Sequence, residues 1–409
     1  MTVRLPWSAW YKDTFHPLAF PGHWTVDVLQ PPKLPALGSR EICAALQNPI
    51  VGPTVSEMAA GKQTACLAVD DLARPTKAAD VLPRVLAQLH EAGLKNESIS
   101  IVVATGTHRS LDRRQIAWKV GEEVLSSFRV ECHNANATLA PTGIQFGRSE
   151  LRINRTFLEA DVKIGIGSVL PHSFAGYSGG AKQLLPGLAD VEATARSHKF
   201  VLMGLRGGQD PDKNRFRLEA EEIGRQLGFH YTVCVVPDSD RNAVGIFAGD
   251  LVAAHREACR FAARTYATRL ETTYDCLVVN AYPKDGDLIQ SENSLIPLKT
   301  AKSPVIREGG LLLLTTAASE GMGRHGLFEP GGASYCRPQP KRALEKRDFW
   351  IYAPTVSPTE AHRIFWHGYP FFHNRAQLEK ALAERFPGST RAAVLPCAPM
   401  QQIDDRRAG

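Results

Sequence analysis

Several common signatures of metal-binding, nucleotide-binding and membrane proteins are missing from this chain of 409 residues. Its eight cysteines form no CxxC pair, and its histidines show no HxxxH spacing, so the usual zinc signatures are excluded. No glycine-rich segment ends in GK[ST], which excludes a P-loop. No apolar run approaches the length that a bilayer-spanning helix needs. The N-terminal residues lack the apolar region of a signal peptide.

The charge balance and the positions of the cysteines further limit the classes of protein to which this chain can belong. There are 48 basic and 42 acidic residues, a net charge of +6, and the basic residues form no dense stripe. We therefore expect no nucleic-acid partner and no membrane partner, whereas a modest positive field suits a small anionic substrate. Cys66 and Cys276 stand inside apolar runs, as buried reduced thiols do, and not in a disulfide framework. These features predict a cytoplasmic enzyme.

Short apolar runs alternate with helical patterns after the first sixty residues, which are rich in proline and aromatic residues. Alternation of this kind predicts an α/β fold with mainly parallel sheets. The predicted strands are 64–70, 99–106, 162–167, 230–236, 275–283, 311–318, 349–354 and 392–398. The predicted helices are 77–93, 112–126, 214–228 and 250–270.

The chain is long enough for two domains of ordinary size. A helix expected to end near Arg269 is followed by a fresh strand at Asp275, so we place the boundary at about 268–272. The predicted organisation is an N-terminal α/β domain over residues 1–269 and a C-terminal α/β domain over residues 270–409. In such sheets the active residues collect at the carboxyl ends of strands, and we expect the site in a cleft between the two domains.

The most informative segment reads PHSFAGYSGGAKQLLPG over residues 171–187 and is followed by SHKF at 197–200. Glycines let the backbone approach a ligand closely, and Lys182 beside them suits a phosphate or a covalent adduct. His172 and His198 add proton transfer or metal ligation. The alternative is a buried turn whose hydrogen bonds are satisfied internally. The pattern favours a reactive anion or cofactor site of an uncommon kind.

Two other strand ends carry polar side chains. VDDLARPTK (69–77) places two carboxylates and an arginine in a turn, and ATGTHRS (104–110) places His108 in another. Taken alone, the first reads as a helix cap with a solvated arginine, and the second as a structural histidine. The repetition of such residues on three separate strand-end loops favours an enzyme site.

These strings together resemble a known family. DDLARPT, then GTHR, HSFAGYSGGAK with LLPG, and SHKF follow one another in the order and at the intervals typical of the nickel-pincer-nucleotide lactate racemase family. The resemblance covers about residues 65–320 and is weaker in the C-terminal third. The glycine-rich segment between histidine and lysine is specific, whereas GTHR alone is not.

The resemblance implies a cofactor, the nickel complex of a pyridinium-3,5-bisthiocarboxylate mononucleotide. Lys182 would hold it covalently through a thioamide. His198 would be the single nickel ligand from the protein, with two sulfurs and a carbon of the pincer as the other donors. Such a cofactor brings most of its own coordination sphere, which accounts for the missing metal-ligand spacings.

The same resemblance assigns the remaining site residues. Asp71, Leu72, Ala73 and Arg74 would bind the nucleotide, with Arg74 also close to the substrate carboxylate. His108 and His172 would be the acid/base pair. One histidine would remove the hydroxyl proton of a 2-hydroxy acid while the C2 hydrogen leaves as hydride to the pincer ring, and the other would return a proton on the opposite face.

One segment departs from the family pattern, in which a glutamine is followed three residues later by a substrate-binding lysine. NAYPKDGDLIQSENS (280–294) keeps Gln290 but has Asn293 in place of the lysine. Losing that cation removes a carboxylate contact. We therefore expect lactate to be a poor substrate. A longer hydroxylated acid could form hydrogen bonds with Asn293, Glu292 and Asp287. The alternative is that these residues are solvated side chains of an exposed turn.

The sequence thus predicts a racemase or epimerase of a 2-hydroxy acid, with Gln290, Asn293 and Arg74 as substrate-binding residues. A sugar-acid (aldonate) 2-epimerase is the alternative within this class. A dinucleotide-dependent dehydrogenase is disfavoured because no strand is followed by GxGxxG. A non-catalytic nucleotide-binding homologue is disfavoured because binding alone needs neither His108 nor His172. The oligomeric state and the identity of the acid stay open.

Overall fold

The computed structural model describes residues 1–404. Its strands are β1 Thr2–Trp7, β2 Thr14–Ala19, β3 Trp24–Val28, β4 Ala65–Asp70, β5 Ile99–Ala104, β6 Arg129–Cys132, β7 Ala140–Phe146, β8 Ser149–Ile153, β9 Val162–Ser168, β10 Pro171–His172, β11 Gly176–Tyr177, β12 Tyr231–Pro237, β13 Ala243–Asp250, β14 Ala267–Arg269, β15 Tyr274–Asn280, β16 Ile306–Thr315, β17 Asp348–Tyr352, β18 Phe371–Phe372, β19 Thr390–Leu395 and β20 Gln402–Asp404. Its α-helices are α1 Ser39–Gln47, α2 Val55–Ala59, α3 Leu82–Glu91, α4 Arg113–Val120, α5 Glu122–Ser127, α6 Arg155–Glu159, α7 Val191–Lys199, α8 Arg215–Gln226, α9 Ala253–Thr265, α10 Leu288–Ser291, α11 Ile296–Thr300, α12 Pro358–Ala361 and α13 Arg375–Arg385.

The chain divides into two compact units, and the division differs from the predicted one. One unit is Lys33–Thr265, and the other combines Met1–Pro32 with the chain after Thr265. The boundary predicted near residue 270 thus lies a few residues late, because α9 ends at Thr265 and a short strand, β14, occupies residues predicted as helix. The placement of the first 32 residues in the N-terminal domain is wrong. They belong with the C-terminal unit because β3 pairs with β19.

The unit of residues 33–265 is built on a six-stranded sheet in the order β13-β12-β9-β4-β5-β6. All neighbours are parallel except β12 and β13. Every residue of β4 is buried, as expected for a parallel strand covered on both faces. Leu67 and Val69 pack into the apolar cluster on one face, whereas Cys66 and Ala68 pack into the cluster on the other.

The second unit has its own six-stranded sheet, in the order β18-β17-β16-β15-β19-β3, and all of its neighbours are parallel. A two-stranded antiparallel ribbon of β1 and β2 belongs to the same unit. Its apolar clusters use the buried residues of β15 and β16 on both faces. The prediction of an α/β fold with mainly parallel sheets is therefore confirmed.

Most elements lie where the sequence predicts them. Each of the eight predicted strands corresponds to an observed one, from β4 to β19, and all four helical stretches contain helix. The predicted helix over 112–126 is two helices, because Gly121 between α4 and α5 has a φ of 93°. The sequence did not predict the pairing of β3 with β19, the antiparallel edge strand β13, or the hairpin of β7 and β8.

Two expectations about composition bear on the fold. All eight cysteines are free thiols, and five of them are buried. The prediction of reduced cysteines in apolar runs therefore agrees with the structure. Among the described residues no helix is both long enough and apolar enough to span a bilayer.

Candidate active site

The first sheet has a topological switch point between β4 and β9, where the chain order of the strands reverses. Ligands of open α/β sheets bind at the carboxyl ends of strands at such a point. Asp70, the last residue of β4, accepts hydrogen bonds on Oδ2 from Thr76 Oγ1 at 2.8 Å and from the backbone nitrogen of Ser168 at 2.8 Å. Asp70 therefore joins the ends of these two strands, and its carboxylate is used within the protein.

A buried lysine fixes the turn that follows β4. Lys119 on α4 is fully buried, and its Nζ lies 2.7 Å from Asp70 Oδ1. The same ammonium donates to the carbonyl oxygens of Thr76 at 2.8 Å and Arg74 at 3.2 Å. Burial lowers the pKa of Lys119 against the opposing attraction of Asp70. Because a buried ammonium needs such partners, Lys119 locks the backbone that carries residues 71–74.

Asp71 orients His108. Asp71 Oδ2 lies 2.5 Å from His108 Nδ1, and Asp71 Oδ1 accepts from the backbone nitrogen of Ala73 at 3.1 Å. Burial would raise the pKa of Asp71, but His108 and then Arg74 outweigh it, and the net pKa is lowered. An ionised carboxylate only accepts, so Nδ1 of His108 carries a proton. In the neutral ring the other nitrogen, Nε2, then holds the lone pair of a base.

The glycine-rich segment begins as a tight antiparallel ladder in which His172 pairs with Gly176. Gly176 has a φ of 69°, and a Cβ at this position would lie 2.5 Å from the carbonyl oxygen of Gln209. Glycine is therefore required here both by conformation and by space. The ladder places Phe174 in its turn and leaves His172 buried.

The ring of Phe174 is the point where the predicted side chains meet. The His172 ring lies edge-on to it with centroids 4.8 Å apart, and the His198 ring at 5.0 Å. The Lys182 ammonium lies over the same ring, 5.2 Å from its centroid. A second ring, that of Phe216, lies 5.0 Å from Phe174 and 5.8 Å from the ammonium. Residues from both ends of the motif thus surround one aromatic side chain.

Lys182 has an unusual environment for a lysine. No hydrogen bond or ion pair within residues 1–404 engages its ammonium, which instead lies over two aromatic faces. Burial, together with the cations Arg74 and Arg217, holds the pKa of Lys182 well below its ordinary value, although Asp71 opposes them. A depressed pKa increases the fraction of neutral amine, which is the nucleophilic form.

His198 lies in the last turn of α7 and is held in one tautomer. Its Nδ1 hydrogen-bonds to the carbonyl oxygen of Thr194 at 2.8 Å. A carbonyl can only accept, so Nδ1 donates and Nε2 carries the lone pair. Burial lowers the pKa of His198 to about 3, with Lys182 and His108 among the further causes. A neutral imidazole anchored through one nitrogen is the form that ligates metals through the other.

The remaining predicted residues of the first turn lie beside this group. Arg74 is half-buried, donates from Nη1 to the Ala73 carbonyl at 3.0 Å, and contributes to the lowered pKa values of both Lys182 and His198. Leu72 and Ala73 are partly exposed in the same turn. The structure therefore brings the three predicted strand-end loops together within one unit.

The predicted residues of the second unit are engaged locally. Asp287 accepts from the backbone nitrogen of Gln290 at 2.7 Å and so caps α10. Asn293 donates from Nδ2 to the carbonyl oxygen of Gln290 at 2.8 Å and lies 3.4 Å from Gln290 Oε1. Glu292 forms an ion pair with Lys341. The amide of Asn293 thus turns toward its own helix, and Glu292 already has a cationic partner.

Several residues of this site were not predicted from the sequence. Phe174 and Phe216 look like ordinary core residues, and Lys119 and Arg217 stand in helical stretches with no motif around them. Only the position of Phe174 inside HSFAGYSGGAK offered a signal. Within residues 1–404 no three His, Cys, Asp or Glu side chains are grouped as a metal site. A metal held by His198 would need donors from a group other than side chains of these types.

Comparison with known proteins identifies the N-terminal part of the chain. A model of the lactate racemase N-terminal domain matches residues 11–207. The lactate racemase of Thermoanaerobacterium thermosaccharolyticum is 26% identical over 289 residues, which are 69% of this chain and 67% of the relative. The lactate racemase of Lactiplantibacillus plantarum is 27% identical over 292 residues, with the same coverage of 69% and 67%.

Solved structures agree over a longer range. The lactate racemase apoprotein of T. thermosaccharolyticum matches with a TM-score of 0.76 at 19% identity, over 99% of this chain and 100% of that one. A protein of Thermotoga maritima matches with a TM-score of 0.67 at 16% identity, over 90% of this chain and 99% of that one. They share the fold of this chain. The domain match over residues 11–207 and the two relatives show that the chain is similar to lactate racemases, which supports an enzyme of the racemase and epimerase class.

Proposed function

We propose that this chain racemises or epimerises a small 2-hydroxy acid at C2 with a nickel-pincer nucleotide attached to Lys182. The observation that carries the proposal is the arrangement around Phe174. One ring contacts a buried histidine, a lysine with no anionic partner in the described part of the chain, and a histidine fixed in one tautomer. A packing role alone would not need three such groups on one aromatic side chain.

The donor set fits this cofactor. Within residues 1–404 the Lys182 amine has no hydrogen-bond or ion-pair partner to displace, and its lowered pKa favours the nucleophilic form that a covalent link to the cofactor would require. His198 presents the lone pair of a neutral imidazole as the one ligand that the cofactor needs from the protein. When bound, the cofactor would supply a carbon that accepts the C2 hydrogen with its electron pair and gives it back. Residues 71–74 would contact the nucleotide.

The two remaining histidines provide the proton transfers. Asp71 holds His108 with Nδ1 protonated, so that Nε2 can take or give the hydroxyl proton of the substrate. His172 would do the same from the glycine-rich segment, on the other face of the planar 2-oxo acid. Inversion at C2 needs one group on each face, and these two histidines belong to different loops.

Asp71 offers a test of this role. Asp71→Asn keeps the size of the side chain but removes the charge and lets an amide N–H face His108, which favours the wrong tautomer. We expect turnover per bound nickel to fall by about a hundredfold or more. Racemisation rate and nickel content, measured on the same preparation, check this. Turnover close to wild type would mean that Asp71 does not orient a catalytic base.

The substrate is proposed to be an acid other than lactate. Family members of this kind carry a lysine at the position of Asn293, whereas here the asparagine amide hydrogen-bonds to Gln290. A neutral side chain turned toward its own helix cannot replace the charge that a small carboxylate would meet. Affinity would then come from Arg74 and from contacts to the rest of a longer or hydroxylated acid. An aldonate fits this description as well as a simple acid does.

A panel of 2-hydroxy acids and aldonates tests both the reaction and the substrate. We expect a change in optical rotation with nickel-loaded enzyme, with a C2 deuterium label retained because it moves as hydride, and a lower kcat/KM for lactate than for a longer acid. Asn293→Lys should raise kcat/KM for lactate relative to the longer acids. No change in optical rotation with any member of the panel, or washout of a C2 deuterium label into solvent, would contradict the reaction. Lactate as the best substrate, or an unchanged ranking in Asn293→Lys, would contradict the proposed choice of substrate.

A further inference from the structure

The first turn of α8 contacts the glycine-rich segment at several points. The lysine loop, defined here as residues 177–182, lies against this turn. Arg217 donates from Nη1 to the carbonyl oxygen of Gly179 at 2.8 Å and from Nη2 to the carbonyl oxygen of Tyr177. One guanidinium therefore fixes two peptide groups of the lysine loop, which no single-donor side chain could do.

The burial of Arg217 is unusual. The side chain is completely buried, and within residues 1–404 no carboxylate bonds its guanidinium. Glu221, four residues further along the same helix, accepts hydrogen bonds from Arg256 on both of its oxygens, at 2.6 and 2.8 Å. A buried cation satisfied mainly by carbonyl groups costs free energy. Simple packing would be served better by an apolar residue, so the charge at this position calls for another explanation.

Asn214 makes a second bridge from the same turn. Its Oδ1 caps α8 by accepting from the backbone nitrogen of Arg217 at 2.9 Å. Its Nδ2 donates to the carbonyl oxygen of Phe174 at 2.8 Å, inside the glycine-rich segment, and to Gln209 Oε1 at 3.2 Å. Capping uses only the oxygen. The amide nitrogen therefore serves the segment that carries Phe174 and not the helix.

A third carbonyl of the lysine loop is held from α9. His255 is fully buried, and its Nε2 lies 2.9 Å from the carbonyl oxygen of Ser178. Gly180, at a φ of 56°, packs on the same ring, because a Cβ there would lie 2.9 Å from the imidazole. Three consecutive carbonyl groups, those of residues 177, 178 and 179, thus point toward α8 and α9. None of the three is hydrogen-bonded to the Lys182 ammonium.

We propose that Arg217 and Asn214 are positioning residues that hold the lysine loop so that the Lys182 amine lies over the rings of Phe174 and Phe216. The same turn supplies Phe216 itself, so it both holds the loop and provides one of the two aromatic faces. The inference that this placement serves attachment of the cofactor rests on the proposed function. The inference that Arg217 and Asn214 fix the position of Lys182 does not depend on the proposed function.

The electrostatics of the loop agree with this role. With its carbonyl groups bound by Arg217 and His255, the loop offers the amine aromatic faces in place of stronger acceptors. Arg217 is also one of the cations that hold the pKa of Lys182 below its ordinary value, after burial and Arg74. The first turn of α8 thus favours the neutral amine as well as its position.

Nuclear magnetic resonance on the apoprotein tests the placement without the cofactor. Lysines are converted to ¹³C-dimethyl-lysines, and the Lys182 signal is assigned by its absence in Lys182→Arg. A methyl group over two aromatic faces experiences their ring currents, so we expect an upfield-shifted signal in the wild type. Arg217→Met should move this signal to the position of the exposed lysines. Asn214→Ser keeps a capping oxygen but cannot reach Phe174, and we expect a partial loss of the shift.

Lys163→Met is the matched control. Lys163 is a buried lysine of the same unit that donates to the Ala160 carbonyl at 2.6 Å near the amino-terminal end of β9. The Lys163→Met substitution should lower the thermal midpoint of unfolding but leave the Lys182 signal at its wild-type position. An unshifted Lys182 signal in the wild type would overturn the proposal. A shift retained in Arg217→Met, or lost equally in Lys163→Met, would do so as well.

Loading of the cofactor separates this proposal from the proposed function. In a host that makes the cofactor, Arg217→Met should reduce the fraction of chains with a mass adduct by roughly tenfold or more, the usual range for residues that support a cofactor ligand. Arg217→Lys, which keeps the charge but reaches one carbonyl, should load to an intermediate level. A wild-type chain with a shifted Lys182 signal but no adduct would contradict the proposed cofactor and leave the positioning role supported. Full loading of Arg217→Met would overturn the positioning role.

Discussion

Replacing Lys182 by alanine is expected to abolish the covalent adduct and to reduce racemisation to the background rate. The amine is the only nucleophile among the groups around Phe174 that has no hydrogen bond or ion pair within residues 1–404, and alanine leaves nothing to form a thioamide bond. His198 alone would supply a single nickel ligand, too few to retain a metal by itself. Intact mass and nickel content of protein from a cofactor-producing host measure both effects.

The exposed neighbour Lys199, at the end of α7, provides the matched control. Lys199→Ala removes a lysine from the same region without touching the Phe174 ring, and it should load and turn over as the wild type does. An adduct that persists in Lys182→Ala would place the attachment elsewhere. A wild-type chain from such a host with neither adduct nor nickel would contradict the cofactor assignment altogether.

The second large effect is expected at the two histidines proposed as the acid/base pair. His108→Ala and His172→Ala should each lower turnover by roughly a hundredfold or more, the usual contribution of a general acid or base, while nickel loading persists. His172 is 6% exposed and packs on Phe174, so its removal should also lower the thermal midpoint, whereas the more exposed His108 should have a smaller effect on stability.

Optical rotation, followed from each enantiomer, is the measurement for these variants. His230→Ala, an exposed histidine outside the site, serves as the control for loss of an imidazole. A variant that racemises at nearly the wild-type rate from both enantiomers would remove its histidine from the mechanism. Loss of nickel from His108→Ala would instead indicate a role in binding the cofactor.

The core strands could be predicted from the sequence because buried parallel strands consist of short, continuous apolar runs. β4 and β9 are buried along their whole lengths, and their ends are where the polar motifs begin. The strand-end rule then placed Asp71, His108 and His172 on one edge of a sheet. Local patterns of this kind are enough to find the loops of the candidate site.

The sequence could not predict the contacts between distant residues. The hydrogen bonds from Arg217 to the lysine loop, and from Lys119 to the turn after β4, join residues about forty positions apart. The periodicity of apolar residues carries no information about such pairs. In the sequence, a buried arginine or lysine within a helix cannot be distinguished from an exposed one. The pairing of β3 with β19 could not be predicted for the same reason, since a five-residue strand can join either sheet.

That pairing has a consequence for how the chain is made. The edge strand β3 leaves the ribosome early, but its partner β19 is synthesised only after the whole of Lys33–Thr265. At about 5–20 residues per second, the wait is on the order of tens of seconds. The inserted unit has time to fold first, with β3 held unpaired at its upstream side. A fragment of residues 33–265 should therefore express as a folded unit, whereas a fragment of residues 1–269 should expose an unpaired strand and aggregate.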